Sequence, residues 1–151
     1  MFIRRNRKGD YAIRAILDLA SHYGEEGPVS ISGISRRQSI PLKYLEQIML
    51  VLKGTGFVDS RRGPGGGFFL LKPPAAITIG EVTRIFQPSS GDPAGALARS
   101  AKGDLGVRAI EEVWERAERS VSDVLDHVTF DDVIRRSAFL RERRGGYVYQ
   151  I

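Results

Sequence analysis

The stretch "DSRRGPGGGFFLLKPP", residues 59–74, decides how the chain is read. Two arginines, a Gly-Pro pair and three consecutive glycines separate the apolar segments "GFV" and "FFLL". "FVDS" and "GFFLL" read as two strands, and "RRGPGG" as the tip of the hairpin that joins them. Gly63, Gly65, Gly66 and Gly67 permit positive φ and let another molecule approach the backbone closely. A nucleotide-binding loop is the obvious rival. However, "GPGGGF" lacks the third glycine of G-x-G-x-x-G, and no Lys-Ser/Thr follows as in a Walker loop. The stretch is therefore a basic hairpin carrying Arg61 and Arg62.

Upstream, "GDYAIRAILDLASHYG" has helical periodicity. Ala12, Ile16, Leu19, Ala20 and Tyr23 recur on one face, and Ile13 and Leu17 widen the stripe. Asp10 is the expected cap, and Gly24 the left-handed residue past the end. A short second helix spans about Ser30 to Gln38, capped by Ser30. Gly33 inside it costs about 1 kcal/mol relative to Ala. After a tight "SI" turn, Pro41 opens a third helix, "PLKYLEQIMLVLKG". Leu45, Ile48, Met49 and Leu52 share one face of it, whereas Lys43, Tyr44, Glu46 and Gln47 fall off that face.

Two short helices joined by a tight turn form a helix-turn-helix, whose second helix enters the DNA major groove by its N-terminal residues. The helices alone fit a plain helical hairpin with a solvated polar face equally well. The basic hairpin that follows them makes the unit a winged helix. Its arginines then project toward phosphates or into a narrow minor groove.

Composition agrees with this and excludes other classes. At 151 residues the chain is long enough for one domain with a real core. Residues 1–74 hold 12 Lys+Arg against 6 Asp+Glu, and residues 75–151 hold 11 against 12. A basic half joined to a nearly neutral half suggests a polyanion-binding module and a separate assembly module. No apolar run reaches the ~20 residues of a membrane span. The basic N-terminus lacks the apolar core of a secretory signal, so a cytoplasmic protein without membrane contact is expected. The absence of cysteine excludes disulfides, thiolate metal sites and cysteine nucleophiles. His22 and His127 lie far apart without a metal-ligand motif, and no Ser-His-Asp signature or paired-carboxylate site stands out. Neither an enzyme nor a bound cofactor or metal is expected.

In the neutral half, "TIGE" at 78–81 is a capping box that starts a helix closed by Pro88. Residues 87–103, "QPSSGDPAGALARSAKG", read as a loop or linker, either a plain connection or a sensory loop. Asp104 then caps a long helix running to about Val128. Val107, Ile110, Trp114, Ala117, Val121, Val124 and Val128 alternate spacings of three and four, which is a heptad seam. Such a rod, roughly 37 Å long, is too long for so small a domain to cover. A second copy of the chain is the expected cover. The carboxylates Glu111, Glu112, Glu115 and Glu118 form a solvated flank. "TFDD" at 129–132 starts a last short helix, and a basic, glycine-broken tail follows.

The expected architecture is mainly α with a small β-hairpin wing. A winged helix-turn-helix DNA-binding domain occupies residues 1–86 and a linker 87–103. Dimerisation helices occupy 104–140, and the basic tail covers 141–151.

The chain resembles the Rrf2-type winged-helix transcription regulators. The resemblance rests on "YAIRAILDLA" at 11–20, "RRQSIPLKYLEQI" at 36–48, "GFVDSRRGPGGGFFL" at 56–70 and "ITIGEV" at 77–82. It resumes weakly at Trp114 and "VTFDDV". The resemblance implies a homodimer without an enzymatic role that reads double-stranded DNA over a two-fold site. It implies that Glu46 reads a base, since a carboxylate accepts from cytosine N4, and that Arg62 enters the minor groove. It also implies that Lys43, Tyr44 and Gln47 are neighbours in the groove and that Lys8 and Tyr11 contact phosphates. Leu50 and Val51 fill places more often polar in the family. Cluster-binding members carry three cysteines ahead of the tryptophan of the dimer helix. Counting back from Trp114 with allowance for loop length, the four positions at which those members place cluster ligands hold Glu111, Arg108, Lys102 and Ala96 here. The resemblance thus implies a regulator, a repressor, without an iron–sulfur cluster. The alternative is an interaction protein that docks on a metabolic enzyme, with DNA binding dependent on that partner.

Overall fold

The computed structural model describes residues 5–88 and 103–146. Three helices come first: α1 (Arg7–Ser21), α2 (Ile31–Gln38) and α3 (Leu42–Gly54). Strands β1 (Val58–Arg61) and β2 (Gly67–Leu70) form an antiparallel hairpin, pairing Val58 with Leu70 and Arg61 with Gly67. A 3-10 turn (Pro74–Ala76) leads to α4 (Ile79–Ile85). The long α5 (Leu105–His127) and α6 (Phe130–Gly146) complete the described chain. No helix among the described residues is long and apolar enough to cross a membrane.

Most helix starts follow the side-chain chemistry. Ser30 accepts from the Gly33 amide, Thr78 and Glu81 close a reciprocal capping box, and Asp104 accepts from the Gly106 and Val107 amides. Thr129 and Asp132 exchange the same two bonds at the start of α6. The first helix departs from expectation. Asn6, not Asp10, caps α1, accepting from the Gly9 amide at 2.8 Å, so Asp10 lies inside the first turn. Tyr23 lies beyond the helix end and is exposed. The last helix is also longer than the short one expected. It continues through Gly146, past the boundary placed at residue 140, because an arginine-rich segment sustains a helix well. The tail beyond residue 146 and most of the 87–103 linker lie outside the described residues.

The core is built from the faces the periodicity marked. Ala12, Ala15, Ile16 and Leu19 of α1 meet Ile34 of α2 and Leu45, Ile48, Met49 and Leu52 of α3. Val58, Leu70, Ile77 and Val82 close it, and Phe130 of α6 is fully buried in the same cluster. Full burial of such a ring stabilises by about 1.5–3 kcal/mol. Around it, the Ile79 amide donates to Val128 O at 2.9 Å and the Phe130 amide to Ile77 O at 3.0 Å. The α5–α6 junction is thereby joined to the winged-helix core as one packed body.

Among the described residues one buried side chain is charged. Asp18 on α1 is only 3% exposed. Arg37 grips it with Nε at 2.9 Å and a terminal nitrogen at 2.8 Å, and Gln38 donates at 3.1 Å. Gly33 now has a reason: a Cβ there would sit 2.9 Å from Ser30 Oγ and 3.0 Å from the Arg37 guanidinium. Burial pushes the Asp18 pKa up, but the bonds from Arg37 and Gln38 outweigh it and hold the carboxyl below its ordinary value. A depressed carboxyl stabilises the fold above its unfolded pKa, and that stability is lost as pH falls through the folded one. Asp18→Asn is expected to destabilise the protein by about 1–3 kcal/mol at pH 7. Urea titrations across pH should show the difference from wild type narrowing below about pH 4.

Candidate nucleic-acid interface

Helix α3 buries Leu45, Ile48, Met49 and Leu52, which turns the opposite side to solvent. That side carries Lys43, Tyr44, Glu46 and Gln47, all exposed. Lys43, Glu46 and Gln47 have no side-chain hydrogen bond or ion pair among the described residues. A charged ridge left unpaired by its own fold is available to an external partner.

Helix α1 brings further groups beside this ridge. The Tyr11 and Tyr44 rings meet edge to face, with centroids 6.2 Å apart. Arg14 stacks over Tyr11 at 5.7 Å from the ring centre. Lys8, Tyr44 and Gln47 line one cleft of about 640 Å³ together with Arg7, Val51 and Phe86. The structure therefore brings Lys8, Tyr11, Tyr44 and Gln47 together from two helices. Arg7 and Arg14 were not singled out in the sequence. The basic run "RRNRK" was a signal for Arg7, whereas the Arg14 stacking depends on a ring placed by tertiary packing.

The wing is held from two sides. Lys53, at the end of α3, donates to Ser60 Oγ at 2.7 Å and lies 3.5 Å from the Asp59 carboxylate. Val29 and Phe68 exchange both amide bonds at 2.8 Å, so the segment before α2 adds a third, one-residue rung to the hairpin. At the tip, Gly63 (φ +97°) and Gly65 (φ +74°) hold the left-handed conformation expected of them. Gly66 does not have positive φ. Its need for glycine is steric, because a Cβ there would collide with the Arg61 and Gly63 carbonyls. Gly67 is likewise pressed against the Val29 backbone. Arg61 and Arg62 are exposed and have no ion-pair partner among the described residues.

The seam residues of α5 divide into two groups. Ile110, Trp114 and Val124 are strongly exposed, as is Val113. Val107, Ala117, Val121 and Val128 are half-buried. Val121 and Leu125 face a small cleft against Ile13 of α1 and Thr83 of α4. Near that cleft, Arg84 of α4 pairs with Asp126 of α5 at 2.7 Å. Gly80 is bare at this crossing, where a Cβ would strike the Asp126 carboxylate.

No group of three or more His, Cys, Asp or Glu side chains that could hold a metal occurs among the described residues. His22 Nδ1 lies 2.7 Å from Asp18 O and His127 Nδ1 2.6 Å from Asp123 O, each within its own helix.

Comparison with known proteins agrees with the geometry. A family model, Rrf2, described as iron-dependent transcriptional regulator, matches residues 5–136. The HTH-type transcriptional regulator IscR of Erwinia tasmaniensis is 37% identical over 139 residues, covering 91% of this chain and 82% of that protein. IscR of Pectobacterium atrosepticum is 36% identical, covering 91% and 83%. Among solved structures, T. potens IscR superposes with a TM-score of 0.73 at 36% identity, covering 89% of this chain and 88% of that one. CymR, the global cysteine regulator of B. subtilis, gives 0.70 at 30% identity, covering 86% and 95%. The iron dependence in the family's description finds no matching donors among the described residues: the sequence holds no cysteine, and the described carboxylates and histidines do not converge. With matched motifs spanning both the winged helix and the long helix, the chain belongs to the Rrf2 family of transcriptional regulators.

Proposed function

We propose that the protein is a sequence-specific DNA-binding repressor that acts as a homodimer and without an iron–sulfur cluster. The observation that carries this reading is the ridge of α3. Lys43, Glu46 and Gln47 are exposed and unpaired above a fully buried apolar face, and a glycine-tipped wing bearing Arg61 and Arg62 follows at once. Glu46 accepts from cytosine N4 in the major groove. Arg62 enters the minor groove, Lys43, Tyr44 and Gln47 lie beside Glu46 in the major groove, and Lys8 and Tyr11 meet phosphates.

The dimer rests on α5. This 23-residue helix has no buried residue, although Trp114 is 59% and Val124 63% exposed along its apolar side. Each square ångström of such surface removed from water contributes about 25 cal/mol. A second copy covers it and places two α3 helices over a two-fold site.

Glu46→Ala should change the accepted base at one major-groove position, at about 1–3 kcal/mol of discrimination, while Arg62→Ala weakens binding and relaxes preference beneath the wing. Titration of both variants against selected and scrambled duplexes checks this. An unchanged base preference in Glu46→Ala would remove α3 from the groove in this orientation.

Light scattering should give twice the 16.7 kDa chain mass at micromolar concentration. Val124→Asp should shift the protein to monomer without unfolding it, because the added carboxylate is solvated in one copy and unpaired only between two. Val121 is a poorer probe, since it also faces α1 and α4.

Anaerobically purified protein should be colourless, and its DNA binding should not respond to oxygen, nitric oxide or iron chelators. Stoichiometric iron and sulfide on analysis would overturn the cluster-free reading.

A further inference from the structure

Leu50 breaks the pattern of the ridge it stands on. It is 70% exposed on α3, a helix whose other apolar side chains mostly lie in the core. At about 100° per residue, Leu50 falls nearly opposite the middle of the buried arc formed by Leu45, Ile48, Met49 and Leu52. It stands two turns beyond Lys43 and one turn beyond Glu46, on the line of side chains that faces away from the protein. Val51 differs: it lines the cleft with Asn6, Ile85 and Phe86, so the fold accounts for part of its apolar surface. Leu50 does not line that cleft.

A lone exposed leucine is unremarkable on an ordinary surface. Here its neighbours along the ridge are Lys43, Glu46, Gln47 and Lys53, and the first three are unpaired. An apolar protein partner would have to desolvate those groups to reach one leucine. A single methyl group set among hydrogen-bonding edges would not. The major-groove edge of a thymine offers that combination, an apolar C5 methyl beside an O4 acceptor.

We propose that Leu50 contacts the C5 methyl of a thymine in the major groove, close to the base met by Glu46. The proposal rests on the DNA-binding reading above. Four residues of helix advance about 6 Å, and a base pair about 3.4 Å, so the thymine lies roughly two base pairs from the Glu46 contact. Glu46 and Leu50 then discriminate by complementary chemistry: one requires an amine donor and the other a methyl group.

Duplexes enriched from a randomised pool by the wild-type protein supply the probe. Each thymine is replaced singly by deoxyuridine, which removes only the methyl, and binding of wild type and Leu50→Ala is measured by fluorescence anisotropy. At one thymine per half-site, uracil should weaken wild-type binding about fourfold, the worth of roughly one buried methyl. The same replacement should leave Leu50→Ala binding unchanged, with its thermal unfolding matching wild type. If every uracil affects both proteins equally, Leu50 reads no methyl and the inference falls. If the pool yields no enriched duplex, the DNA-binding reading itself fails and takes the inference with it.

Discussion

The presentation of α3 depends on the buried carboxylate of Asp18. Helix α2 is only eight residues long, below the length at which a helix persists alone in water, so tertiary contacts must hold it. The two-pronged grip of Arg37 and the bond from Gln38 fasten its last turn to the last turn of α1. Immediately afterwards Ser39 adopts φ +52°, and Ser35 Oγ donates to Ile40 O at 2.7 Å, which closes the turn into α3. The direction in which Lys43 and Glu46 leave the body is therefore set two elements upstream. A charge in the core is costly unless fully paired, but a pair of fixed geometry also defines one angle between helices where apolar packing alone permits several.

A second constraint joins the winged helix to α5 and α6. Phe130 belongs to the core of the winged helix although it lies 60 residues beyond β2, at the start of α6. The isolated bridge between Thr78 and Thr129 brings two capping boxes side by side, so α4 and α6 begin from one shared rung. The ion pair from Arg84 to Asp126 and the bare backbone at Gly80 then let α4 and α5 cross closely. Because α5 is held at its C-terminal end in this way, its exposed N-terminal half projects at a fixed angle to α3. In a two-fold assembly, that angle would set the separation of the two recognition helices.

What was legible in the sequence was mostly local. Ser30, Thr78 with Glu81, Asp104, and Thr129 with Asp132 cap helices because a short polar side chain reaches its own next turn wherever the fold lies. The buried faces of α1 and α3 were legible because period alone defines them. The failures needed distant partners or competition between neighbours. Asp10 is a sound cap by type, but Asn6 starts the helix four residues earlier and takes the role. Asp18 interrupts an apolar face and makes sense only with Arg37, 19 residues away. The glycine run announced a special backbone, yet the reason at Gly67 is the Val29 carbonyl, which reaches the hairpin from before α2.

The sequence holds no cysteine to supply thiolate ligands to a soft-metal centre. The joints described above show what a signal would have to move. α3 is locked to α1 through α2, and the α5–α6 junction is locked to the same core through Phe130. In the proposed dimer, a signal that tilts α5 relative to the second copy would carry each α3 with it as a rigid body. Separating α3 from α5 inside one protomer would instead require breaking the Arg84–Asp126 pair and opening the aromatic core at Phe130. In the proposed dimer the lower-cost motion lies between copies, at the exposed face of Ile110, Trp114 and Val124, and affinity for a two-fold site would then be governed by the geometry of that face.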